Sequence, residues 1–106
     1  MEYEKLLRAL GLCAKAGRLV CGTPLVCEAL RSAKRPHLVL EASDNAPNTA
    51  KRIADKCTYY HVEHVTLPIG GDLLSEAIGK TGRVAVVAIT DQNLCQLVQG
   101  TLETHS

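Results

Sequence analysis

Apolar positions along this chain follow two rhythms that take turns, one with helical spacing and one of short unbroken runs. From Tyr3 to about Lys15, Leu6, Leu7, Leu10 and Cys13 or Ala14 recur at helical spacing. Gly17 marks the stop, as glycine commonly does past a helix C-terminus. Leu19-Val20-Cys21 reads as a short strand ending at Gly22. Thr23 then reads as an N-cap with Pro24 at the first helical position, opening a helix to about Ala33. Pro36 breaks the chain, and His37–Ala42 reads as a buried strand. Ser43-Asp44-Asn45 is turn chemistry, with Ser43 and Asp44 read as caps of a third helix from Pro47 to about Tyr59. Val65-Thr66-Leu67 is a strand closed by Pro68 and Gly70-Gly71. Asp72 caps a short helix through Ile78, which Gly79 ends. Val84–Ile89 is apolar enough to be a central strand covered on both faces. Asp91 caps the last helix, with Leu94, Leu97 and Val98 facing inward. Helices alternating with apolar strands predict an α/β/α sandwich around one sheet.

Composition narrows the class. At 106 residues there is room for one domain, 1–106, able to fold without metal or disulfide staples. No apolar run is long enough to span a membrane, and the acidic, amphipathic start is unlike a secretory signal. Five cysteines (Cys13, Cys21, Cys27, Cys57, Cys95), odd in number and without C-x-x-C spacing, suit a reducing compartment. These features predict a cytoplasmic protein.

Net charge is only +1, but its distribution is uneven. Residues 1–36 carry seven basic groups against three acidic, net +4, whereas 37–70 and 71–106 come to −1 and −2. One end could face phosphates, although a solvated helix face gives the same count.

The chemistry-bearing motifs fail on inspection. Ile78-Gly79-Lys80-Thr81 resembles the end of a phosphate-binding loop, but Leu74 stands where another glycine is needed. It also follows a helix and precedes a strand, the reverse of that motif. Cys57, His61 and His64 make only half of a zinc set, so no metal is expected and the histidines read as surface or linker residues. No nucleophile elbow accompanies the cysteines, and Ser43-Asp44 is the nearest hydrolase candidate. With Tyr3, Tyr59 and Tyr60 as the whole aromatic complement, a platform stacking several bases is excluded.

Five pieces in order carry a resemblance. They are Lys15–Thr23 leading into a helix with Glu28-Ala29-Leu30-Arg31-Ser32, then Leu38–Asp44, Lys56-Cys57, Ala77–Lys80, and a strand ending at Thr90-Asp91. Over nearly its full length the chain resembles the kink-turn-binding ribosomal-protein superfamily, the L-seven-Ae and L-thirty-e group, and in particular its small bacterial YlxQ-type members. The resemblance implies a three-layer α/β/α sandwich with a four-stranded mixed sheet, no catalysis, no cofactor, and RNA as partner. It places RNA contacts at Gly22, Thr23, Pro24, Leu25 and Glu28, with Val26 and Cys27 in the same stretch. A second contact loop after the last strand maps to Ile89, Thr90, Asp91 and Gln92, and Lys15, Arg18, Lys34 and Arg35 would flank the first stretch.

The reading stretch departs from the family pattern. Where kink-turn binders present Asn, Glu and a later Lys, this chain has Pro24, Leu25 and Glu28. Proline and leucine side chains cannot hydrogen-bond a base edge. Two expectations follow: a monomeric ribosome- or translation-associated RNA binder, or a protein-interaction module on the same fold that has lost kink-turn recognition.

Overall fold

The computed structural model describes residues 3–103, with side chains through Leu102. Among the described residues nine elements alternate: α1 (Glu4–Lys15), β1 (Leu19–Cys21), α2 (Thr23–Arg31), β2 (Leu38–Glu41), α3 (Pro47–Tyr60), β3 (Glu63–Thr66), α4 (Gly71–Ala77), β4 (Val86–Ile89) and α5 (Gln92–Glu103). The four strands form one sheet in the order β1-β4-β2-β3. β4 runs antiparallel to both neighbours and β2 runs parallel to β3, so the sheet is mixed, as the resemblance implied.

Alternation along the strands builds two cores. Leu38, Leu40, Val87 and Ile89 point to one face, where they pack with Leu6, Leu10, Leu74 and Val98 of α1, α4 and α5. Val39, Val86 and Ala88 point to the other, against Val26 and Leu30 of α2 and Ile53 and Cys57 of α3. β2 and β4 are buried on both faces, which is why they read as unbroken apolar runs.

Several boundaries differ from the sequence reading for physical reasons. Thr23 is inside α2 and Gly22 is its N-cap, because Gly22 takes the positive φ of 93° that turns the chain into the helix. Asp44 does not cap α3. Its Oδ1 accepts the Gly71 N–H at 2.9 Å and so caps α4 across the fold. Asp72, expected in that role, sits in the first turn without a capping bond. Asp91 does cap α5, its Oδ1 accepting the Leu94 N–H at 3.0 Å. Leu97 is exposed, since the buried stripe of α5 runs through Cys95, Val98 and Thr101.

His64 also departs from expectation. It lies in β3, half-buried, and its Nε2 is 2.8 Å from Oε1 of Glu41. Glu41 is buried at the end of β2, and its other oxygen accepts a hydrogen bond from Asn45 Nδ2 at 2.7 Å. A buried carboxylate is costly unless its lone pairs are met, and His64 and Asn45 meet them here.

Candidate nucleic-acid interface

The N-terminus of α2 is open. It has no side-chain cap and no acidic residue in its first turn, and Pro24 brings no N–H of its own. The first N–H groups of a helix lack intrahelical partners, and with the dipole they favour an anion. Gly22 aims this end by donating its N–H to Val86 O at 2.8 Å. Its φ of 93° and ψ of 145° lie where side chains are strained, although a Cβ would meet nothing within 4 Å. Gly22→Ala is therefore expected to cost about 1–3 kcal/mol through the backbone alone. Urea unfolding should show the loss as a lower midpoint with an unchanged slope.

The strand register decides which loops stand beside this end. Gly22, Val86 and Glu41 share one end of the sheet, while Leu19, Ile89 and Leu38 share the other. The loop that neighbours Gly22 is thus residues 79–85, before β4. Thr90, four residues past Val86, lies about 13 Å away along the strand, and Gln92 follows it into α5. The Ile89 side chain is fully buried and cannot touch a ligand, and Thr90 donates its N–H to Arg18 O at 3.0 Å at the far end. Arg18, Lys34 and Arg35 belong to that far end as well, beyond the start of β1 and the close of α2. Lys15 lines a depression between α1 and the end of α4 with Gly11 and Gly79.

Loop 79–85 is pinned from beneath. Ser75 Oγ accepts the Val84 N–H at 2.6 Å and donates to Gly71 O at 2.7 Å. Arg83 is clamped by Asp44, Nη2 to Oδ1 at 2.7 Å, with Asp72 at 3.6 Å. The Gly71 N–H first, and the Arg83 guanidinium next, hold the Asp44 carboxyl below the usual aspartate range. A carboxylate with a depressed pKa contributes above its unfolded value and loses that contribution as pH falls through the folded one. The clamp is therefore intact at neutral pH. Sequence reading missed Ser75 and Arg83, because their partners lie 9 and 39 residues away.

The two exposed sides of α2 differ in character. Toward the sheet edge, Leu25, Glu28, Ala29 and Ser32 border a groove of about 510 Å3 with β1 and Lys80, and Leu25 is 56% exposed. Val26 points the other way and is fully buried. Toward α3, Thr23, Pro24, Cys27 and Arg31 face Arg52 and Lys56 across a groove of about 640 Å3. Glu28 therefore lies on the opposite flank from this basic groove. Arg52 and Lys56 escaped the segment charge count because Glu41, Asp44, Asp55 and Glu63 offset them in number though not in position.

Cys13, Cys21, Cys57 and Cys95 lie outside the low-pKa setting that a thiol nucleophile requires. Burial pushes the thiols of Cys13, Cys21 and Cys95 up, and that of Cys57 to about 11. Among the described residues no cluster of histidine, cysteine and carboxylate side chains could hold a metal ion, and no helix is long and apolar enough to cross a membrane.

The chain belongs to the ribosomal protein L7Ae/L30e/S12e/Gadd45 family, whose sequence profile matches residues 4–98. It is 44% identical over 92 residues to the RNA-binding protein YlxQ of Bacillus subtilis, covering 87% of this chain and 86% of that one. It is 32% identical over 81 residues to the RNA-binding protein YlxQ of Enterococcus faecium, covering 76% and 77%. A Bacillus halodurans protein of unknown function has the same fold, with a TM-score of 0.85, 28% identity and coverage of 93% and 97%. The Giardia lamblia 15.5kD RNA binding protein shares it at a TM-score of 0.77, 20% identity and coverage of 97% and 86%.

Proposed function

We propose that this protein is a non-catalytic RNA-binding protein of the cytoplasm, ribosome- or translation-associated, that acts as a monomeric single domain. The observation that carries this reading is the uncapped, acid-free N-terminus of α2 at Gly22–Pro24 beside the pinned loop 79–85, in a chain whose curated relatives are named RNA-binding proteins. RNA contact there rests on backbone N–H groups and shape. Pro24 and Leu25 stand where base-reading side chains would be, so the expected ligand is structured RNA, with kink-turns bound less selectively than by relatives that keep polar groups there. Each base-edge hydrogen bond that these two side chains cannot make is worth about 1–3 kcal/mol by analogy with duplex readout. Crosslinking in cells followed by sequencing tests this. Recovery of a defined set of ribosomal or structured RNA supports it, and recovery of none sinks it.

A second reading is favoured by one specific feature. β1 is an edge strand, and its bonds to β4 alternate, with Gly22 N–H to Val86 O and Thr90 N–H to Arg18 O. Leu19 and Cys21 therefore turn their backbone groups outward, next to exposed Leu25. A protein segment could dock there as an added strand. If Leu25→Asp removes a co-purifying protein while RNA crosslinking is untouched, this reading replaces the first.

A further inference from the structure

We propose that the groove between α2 and α3 is a track for a single strand of RNA, running from the α2 N-terminus to Tyr59. The inference rests on the RNA-binding reading above and adds to it a second, sequence-independent contact surface.

Direction comes first. α2 and α3 both start at the Gly22/Glu41 end of the sheet and both finish at the Leu38 end, so they lie side by side in the same sense. Their shared groove runs from Thr23 and Pro24 at the open end of α2 to Arg31 and Lys56, about one helical turn short of Tyr59 and Tyr60. At 1.5 Å per residue, α2 alone gives it a length of about 13 Å, enough for a few nucleotides.

Charge comes next. Arg31 from one wall and Arg52 and Lys56 from the other converge on this groove. Among the described residues, none of the three forms an ion pair, in contrast to Arg8 with Glu4 and Arg83 with Asp44. Their charge is thus free to meet phosphates. Glu28, the acidic residue of α2, lies on the opposite flank with Leu25. Asp55 is exposed on α3 between Arg52 and Lys56 in sequence, but it does not line the groove.

An aromatic platform completes the arrangement. Arg52, Lys56 and Tyr59 are spaced i, i+4 and i+7, which puts them on one stripe of α3. Tyr59 is 75% exposed and packs edge-on against Tyr60, with centroids 4.8 Å apart. Tyr60 in turn has the Arg35 guanidinium 4.9 Å over its ring. Tyr59 is therefore held at the end of the cationic stripe with its ring open to solvent, which is how single-strand binders present a ring to a base. A phosphate track ending in one stacking ring suits a strand and is poorly suited to a protein helix, whose apolar face would find few partners among Arg31, Arg52 and Lys56.

The test uses two probes, a short fluorescent oligouridine and a kink-turn hairpin, with the full chain. The oligouridine should bind at low salt, with log affinity falling against log salt by about 0.7 for each phosphate contact. Arg52→Gln with Lys56→Gln should make that slope shallower by about 1.4. Tyr59→Ala should weaken oligouridine binding at least fivefold, and Tyr59→Phe should restore it, since stacking needs the ring and not the hydroxyl. Bound oligouridine should also slow alkylation of Cys27, which lines the groove. These side chains are solvent-exposed or half-buried, so thermal unfolding of each variant should match the parent. If the hairpin binds while the oligouridine does not, or the variants bind oligouridine like the parent, the track is overturned and the RNA-binding reading stands. If neither probe binds, the track is overturned, and the RNA-binding reading falls with it when ribosomal RNA also fails to bind at low salt.

Discussion

Leu30→Ala should destabilise the protein by about 2–5 kcal/mol, the range for removing most of a fully buried leucine side chain. Leu30 has no exposed surface and sits in the last turn of α2, packed with Val26, Val39, Ile53 and Cys57. Truncation removes transfer energy and leaves a cavity, and β2 and β4 beneath it are held on their other face, so the site cannot collapse to fill the space. A chain of this size has about 5–15 kcal/mol in total, so the melting temperature should drop by about ten degrees or more. The N-terminus of α2 is anchored separately through Gly22 to Val86. RNA affinity of the folded fraction should therefore change little in the cold, while urea unfolding shows the full loss. A variant as stable as the parent would contradict the packing of α2 on the sheet.

His64→Leu should cost about 3 kcal/mol, although His64 is only half-buried. Its loss leaves Oε1 of buried Glu41 without its partner at 2.8 Å, with Asn45 meeting only the other oxygen. Orphaning one acceptor costs about 1–3 kcal/mol, and more for a charged group. The double change Glu41→Met with His64→Leu removes both halves and should recover most of that loss, since apolar replacement of a buried polar pair is often near neutral. The cycle of two singles and the double, read by urea unfolding, should give a coupling of about 2–3 kcal/mol. Additive losses would mean that the contact between β2 and β3 contributes nothing beyond its parts.

Element order was legible because each strand and helix carries a local signature. The run Val86–Ile89 is buried on both faces, and such a run reads as central with no knowledge of its neighbours. Gly17 and Gly79 each take a positive φ, at the helix ends that these glycines mark in the sequence. What spacing could not supply was long-range pairing. Asp44 reads as a local cap, yet its carboxylate reaches Gly71 27 residues on. His64 reads as a linker residue, yet it answers a carboxylate 23 residues back on the neighbouring strand.

The candidate interface divides along the same line. Gly22, Thr23 and Pro24 could be set at a helix start because helix starts are local, although Gly22 and not Thr23 is the N-cap. Sequence reading puts the second contact loop at Ile89–Gln92, but the antiparallel register of β1 with β4 sets that segment at the opposite end. Arg52 and Lys56 were hidden because net charge over a stretch says nothing about which helix face carries it. Only the side-by-side packing of α2 and α3 brings them opposite Arg31.

The claim that this protein binds RNA is tested most directly by titrating it against a fluorescent kink-turn hairpin and against ribosomal RNA, from low to physiological salt. Saturable binding at low salt that weakens steeply as salt rises, as phosphate contacts require, is the predicted result. Failure to bind either RNA at low salt would contradict it.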